Sequence, residues 1–161
     1  MLSEDHARAR REAVRHPALV DPLTGLANRL CFDLVYNYFF EAGDRGMTFT
    51  VMLLSGGPVD EISDARIKSI GEVVASTTRT ADLASHVAEA RYVVLLVGTN
   101  LPGSRIVADR IEMALDREDL GPASFGVAAF ASHPKDSTAL LEAAENALLA
   151  AESAGGGVEF G

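Results

Sequence analysis

The chain has 161 residues, 48% of them hydrophobic, which is one domain's worth of length with enough apolar material for a sizeable core. Its formal net charge of −9 argues against broad binding to nucleic acid or anionic membrane, while leaving room for a local basic pocket. The lone Cys31 excludes an internal disulfide and a cysteine-based zinc site and fits a reducing cytoplasm; no apolar run reaches the ~20 residues of a membrane span, and the polar start is no signal peptide.

Residues 3–15, SEDHARARREAVR, are charged and helix-favouring but too sparse in apolar positions for a buried helix. Residues 1–17 therefore read as a solvated N-terminal helix or linker, or as a signalling or dimerising helix that continues something upstream. Pro17 breaks it. Pro22 and Gly25 mark a turn, and Asn28 is a good N-cap for a helix from Arg29 to Gly43. Leu30, Phe32, Leu34, Val35, Tyr38 and Phe39 recur along it at helical spacing. Met47 to Leu54 predicts a strand, stopped by Ser55-Gly56-Gly57-Pro58.

A second helix is predicted over 60–78, with Ile62, Ile67, Ile70, Val73 and Val74 on its apolar side. Leu83 to Val87 alternates weakly, and Tyr92 to Val97 is a strand buried on both faces. The Ala88-Glu89-Ala90 segment between them is short enough for a hairpin. Gly98 to Gly103 reads as a loop, with Ser104 capping a third helix that carries Ile106, Val107, Ile111, Met113 and Leu115. Ala123 to Phe130 is a strand. Asp136 to Thr138 open a fourth helix, which Gly155 to Gly157 end, and Val158 to Phe160 is a short last strand. This order predicts an α/β (α+β) sandwich: a mixed five-stranded sheet with a ferredoxin-like βαββαβ core flanked by helices. That fold hosts many functions and decides none.

Few residues offer chemistry. Arg79 and Asp82 stand three apart at a helix end, a spacing that places both on one surface. Arg offers a planar fork to a phosphate. The pair has an equally ordinary structural reading, since a cation near a helix C-terminus is favourable and Asp82 can cap a turn or pair with Arg79. His86 is expected to end a strand in solvent. His6, His16 and His133 show no ligand spacing. Gly56-Gly57 reads as a turn rather than an anion nest, and Ser55 has no paired base to make it a nucleophile.

Asp21-Pro-Leu-Thr-Gly-Leu-Ala-Asn-Arg29 resembles the opening motif of the GGDEF (diguanylate cyclase) family, D-x-L-T-G-L-x-N-R. Ser124-Phe-Gly-Val-Ala128 is similar to the family's S-I-G-V-A strand, and Leu141 to Gly155 to its closing helix. Residues 18–161 are therefore identified as a GGDEF, nucleotide-cyclase-like domain. The family makes cyclic di-GMP from two GTP, with one GTP and Mg²⁺ per domain.

The resemblance also implies that this copy is degenerate. Ala88-Glu89-Ala90-Arg91-Tyr92 stands where the family reads G-G-D-E-F. The two positions that supply metal-binding carboxylates hold Ala90 and Ser55, and such a reaction needs those acids against a triphosphate. Arg91 replaces the adjacent acid. Glu152 replaces the helix lysine that faces the phosphates, and Gly156 and Gly157 replace the Arg and Asn that follow. The guanine-binding Asn has no clear counterpart; Asp64 stands as a remnant of its companion Asp. One lost electrostatic contact at a transition state costs roughly 3–4 kcal/mol, and here several are missing. The expectation is no enzyme, no catalytic residue, no metal and no cofactor.

Arg79-Thr-Ala-Asp82, in contrast, resembles the family's inhibitory site, R-x-x-D, at its usual distance before the motif. Arg110 in Ala-Asp-Arg-Ile matches the assisting Arg of A-E-R-I. The resemblance thus implies a cyclic di-GMP receptor with Arg79, Asp82 and Arg110 as ligand-binding residues. The alternative is a dimerisation or partner-binding signalling module, a homodimer or a hetero-complex, that binds no nucleotide. Nucleic acid and membrane insertion are not expected of this chain.

Overall fold

A computed structural model describes residues 16–43, 45–57 and 62–161. The elements in chain order are α1 (Arg29–Gly43), β1 (Phe49–Ser55), α2 (Asp64–Thr77), β2 (Leu83–Ala88), β3 (Arg91–Val97), α3 (Leu101–Arg117), β4 (Ser124–Ala129), a 3-10 turn (Phe130–Ser132), α4 (Ser137–Ser153) and β5 (Gly157–Phe160). The helix expected over residues 3–15 lies outside the described residues, as does the start of the one expected over 60–78. Among the described residues no helix is long and apolar enough to cross a membrane.

The sheet runs β2-β3-β1-β4-β5. The first four strands are antiparallel, and β5 joins β4 in parallel. This is the expected mixed sheet with its βαββαβ centre. β1 lies in the middle and every residue of it is buried, which is why its sequence is almost continuously apolar. Phe49, Val51 and Leu53 meet Phe32, Tyr36 and Phe39 of α1 and Leu140, Ala144 and Leu148 of α4. Met52 and Leu54 meet Ile67, Ile70 and Val74 of α2 and Ile111 and Leu115 of α3. Alternation along one strand thus feeds two cores, one on each face of the sheet. A Cβ on Gly126 of β4 would strike the backbone of Ala144 and Leu148, so glycine there lets α4 lie close against the sheet.

Several boundaries differ from expectation for local reasons. Ser104 does not cap α3. Asn100 does, accepting from Gly103 N–H at 2.9 Å, and Pro102 is tolerated in the first turn. Ser104 is buried inside the helix and donates to the Leu101 carbonyl. Asn28 caps α1 as expected, accepting from Cys31 N–H at 2.9 Å, and Asp136 caps α4. The hairpin turn is two residues, Glu89-Ala90, because Ala88 pairs with Arg91; a register shift between His86 and Ala88 marks a bulge.

The apolar positions of α1 do not all face the core. Phe32, Tyr36 and Phe39 are buried, but Leu30, Leu34 and Tyr38 are 53%, 57% and 68% exposed. The helix is apolar on two sides, and only one of them meets the sheet.

Candidate functional site

The β2–β3 hairpin, the end of β1 and the C-terminal half of α4 meet at one end of the sheet. Ser55 closes β1, opposite Arg91 on one side and Ser124 on the other. Ala90 is fully buried, and its carbonyl accepts from Gly56 N–H at 2.9 Å. Arg91 reaches across to α4, its Nη2 lying 3.1 Å from Glu152 Oε1 and 3.3 Å from Oε2. Tyr92 is buried and donates its hydroxyl to the Ile67 carbonyl at 2.6 Å. Burial first, and Asp21 second, push its phenol well above the ordinary range.

His86 is not in solvent. Its side chain is only 10% exposed, its Nδ1 lying 3.1 Å from Asp21 Oδ2 and its Nε2 2.8 Å from the Glu89 carbonyl. The bulge that follows it and the backbone bridge from Ala27 turn it inward, since Ala27 accepts from His86 N–H at 2.9 Å. Asp21 also accepts from Thr24 N–H at 2.9 Å and from the Thr24 hydroxyl at 2.7 Å. Burial pushes the Asp21 carboxyl up, but the donors from Thr24 and the His86 ring outweigh it and hold it below the usual range. The Asp21–Arg29 loop is therefore tied to the hairpin turn through one histidine.

At the other end of β2 and β3, Arg79 and Asp82 form a closed unit. Asp82 Oδ2 accepts from Arg79 N–H and Nε–H, both at 3.1 Å. Its Oδ1 accepts from Arg79 Nη2 at 3.0 Å and from Val97 N–H at 3.1 Å. All four lone-pair positions of the carboxylate are used, and its side chain is 1% exposed. Arg79 Nη2 also donates to the Val97 carbonyl at 2.8 Å and to the Thr99 hydroxyl at 3.0 Å. Asp82, its hydrogen bonds before its charge, raises the guanidinium's already high pKa. Arg79 nevertheless stays 53% exposed. It lines a hollow of about 290 Å³ together with Asp82, Thr99, Asn100, Ile106 and Arg110. The structure thus brings all three expected residues to one surface depression. Spacing gave no sign of Thr99 or the Val97 carbonyl, which arrive through the β2–β3 pairing.

The family model for the diguanylate cyclase GGDEF domain matches residues 18–157. The chain belongs to the GGDEF family. Among curated protein sequences, none matches. Solved structures give the same fold. The coiled coil and GGDEF domain of Caulobacter crescentus DgcB, in complex with c-di-GMP, is 22% identical, with a TM-score of 0.77 over 98% of this chain and 93% of that one. The GGDEF domain of Pseudomonas aeruginosa TpbB, or YfiN, is 20% identical, with a TM-score of 0.75 over 88% and 91%. The S helix-GGDEF-EAL portion of Vibrio cholerae LapD, bound to c-di-GMP, is 20% identical, with a TM-score of 0.71 over 94% of this chain and 38% of that one.

Within this GGDEF domain the hairpin offers a poor place for Mg²⁺. A hard divalent ion needs carboxylate or carbonyl oxygens, and the two positions that the motif alignment would give to metal-binding acids hold a methyl group at Ala90 and a hydroxyl at Ser55. The Arg91 guanidinium adds a positive charge, and the Ala90 carbonyl is already engaged by Gly56. Among the described residues no three His, Cys, Asp or Glu side chains gather in a metal-binding arrangement. The residues present do not fit the ion, and no step through it follows.

Proposed function

We propose that this GGDEF domain is catalytically inactive and acts as a cyclic di-GMP receptor through Arg79, Asp82 and Arg110. The observation that carries the proposal is the fixed fork of Arg79. Asp82, Val97 and Thr99 engage Nε and Nη2, which leaves Nη1 as the unspent donor edge of a half-exposed guanidinium. Such an edge suits a phosphate or the N7/O6 side of guanine, and little rotamer entropy remains to be lost on binding. Arg110, on the same hollow, supplies a second positive charge for a ligand with two phosphates. Asp82 acts first by holding Arg79. A guanine N1–H reaches its carboxylate only in exchange for one of the bonds it already accepts. The c-di-GMP complexes of DgcB and LapD support the choice of ligand.

The inactive half of the proposal rests on charge. Arg91 is paired with Glu152 across the cleft, so its cation meets an acid of the chain rather than an open phosphate site. Thermal unfolding with and without nucleotide tests both halves. A ligand at one hundred times its Kd stabilises the fold by about 2.7 kcal/mol, which for a chain of this length raises Tm by about 5 °C or more. Cyclic di-GMP produces that shift. GTP with Mg²⁺ or Mn²⁺ produces none, and chromatography of the mixture shows no cyclic di-GMP. Product formation from GTP overturns the proposal.

A second reading, a module that dimerises or captures a partner without nucleotide, is favoured by one observation, the exposed apolar side of α1.

A further inference from the structure

α1 and α4 pack on the same face of the sheet, the one that carries Leu53 and Val93, and near the hairpin they do not close over it. A hollow of about 310 Å³ remains between them. Its floor is apolar. Leu53 and Val93 from the sheet, Phe32 from α1 and Leu148 from α4 line it, and none is more than 9% exposed. Ala88 on the hairpin contributes only a methyl group and so fills little of the space. This volume lies at the small end of the range for small-molecule sites and suits a compact body rather than a dinucleotide.

The rim is of a different kind. Arg29 opens α1, Arg91 opens β3, and both line the hollow. Among the described residues each has one side-chain partner. Arg29 uses only Nε, in a 3.4 Å contact with Asp33, and its side chain is 66% exposed. Arg91 uses only Nη2, on Glu152. A guanidinium carries five N–H donors, so most of each fork is unspent. Arg29 and Phe32 both belong to the start of α1, so the positive end of that helix adjoins the same rim, and its first turn has no acid to offset it.

Unspent cationic donors above a dry floor fit one ligand chemistry. We infer that the hollow binds a small amphipathic carboxylate, with its aliphatic body on Leu53, Val93 and Leu148 and its carboxylate on Arg29 and Arg91. The planar anion matches the planar fork of a guanidinium. Each CH₂ group taken from water onto the floor adds to the affinity. Glu145 lies on the same rim and is the partner of neither arginine. It sets a limit on charge, because a single carboxylate gains from two cations whereas a phosphate dianion is also repelled by the glutamate. The hollow lies at the opposite end of β2 and β3 from Arg79, and its occupancy does not depend on cyclic di-GMP.

Titration of octanoate into the methyl-labelled chain, read by heteronuclear NMR, tests it. The methyl signals of Leu53, Val93 and Leu148 shift and saturate, with a Kd of about 1 mM or below. Those of Val94 and Ile111, in the core on the opposite face, stay still. Octanol and octylamine keep the body and lose the anion, and they bind about tenfold more weakly or not at all. Arg29→Gln and Arg91→Gln each weaken octanoate by about fivefold. Ala88→Leu, at an exposed hairpin position, fills the hollow and abolishes the shifts while circular dichroism is unchanged. Arg79→Ala leaves the octanoate titration as it is, so this site and the cyclic di-GMP site are read separately. A wild-type chain without saturable shifts, octanol bound as tightly as octanoate, or an Ala88→Leu chain that binds octanoate as the wild type does overturns the inference.

Discussion

Arg91 on β3 and Glu152 on α4 hold each other, Nη2 to Oε1, at 3.1 Å. The contact ties the end of the β2–β3 hairpin to the C-terminal half of α4.

This pair should be coupled but weak. Both side chains are about a third exposed, at 32% and 30%, so solvent screens them. A double-mutant cycle on Arg91→Ala and Glu152→Ala, read by urea unfolding, should return a coupling of about 0.5–1 kcal/mol. A coupling indistinguishable from zero would mean that the two charges do not hold the hairpin to α4.

Asp82 should matter more to stability than Arg79. Asp82→Ala strands the part-buried N–H of Val97 and frees the N–H of Arg79, at a cost of about 1–3 kcal/mol. Arg79→Ala removes a half-exposed partner and lets water reach the carboxylate, which lowers the cost. Urea midpoints of the two variants check the order. The reverse order would remove Asp82 as the anchor of the turn.

Asp21 gives the fold an acid-sensitive joint. Its folded carboxyl lies below the ordinary value of 3.8, so it is held more tightly as the anion in the folded state. Its contribution is fully present above the unfolded pKa and is lost as pH falls through the lower folded one. Urea midpoints at pH 7 and in the range below about pH 4 should therefore separate, and Asp21→Asn should reduce the separation. An unchanged acid limb in Asp21→Asn would show that the Thr24 and His86 contacts do not stabilise the anion.

Much of this was legible in the chain because period and punctuation agreed. β1, β3 and β4 are short apolar runs bounded by turn residues, and Asn28 and Asp136 cap where their side chains predict. α3 was misplaced by one turn because Ser104 and Asn100 are both capping residues, and only the Gly103 N–H chooses between them. The outward stripe of α1 was unreadable as such, since a helix apolar on two sides gives the same periodicity as one that is buried deeply. His86 was misread for a different reason. Its partners, Asp21 and the Glu89 carbonyl, arrive through a loop contact 65 residues away in sequence and through a bulge. Spacing offered the Arg79–Asp82 contact as one of several readings, and its closure by Val97 and Thr99 depends on strand register. The resemblance of the Asp21–Arg29 motif placed the family, and the fold could not have done so.

The receptor reading stands or falls on calorimetric titration of cyclic di-GMP into the wild-type chain, Arg79→Ala and Arg110→Ala. Arg110 is exposed, so its variant leaves the Asp82 anchor intact and separates loss of ligand from loss of fold. A saturable micromolar heat with the wild type, abolished by Arg79→Ala and weakened by Arg110→Ala, is the predicted result. No heat with the wild type, or a heat unchanged in both variants, would contradict it.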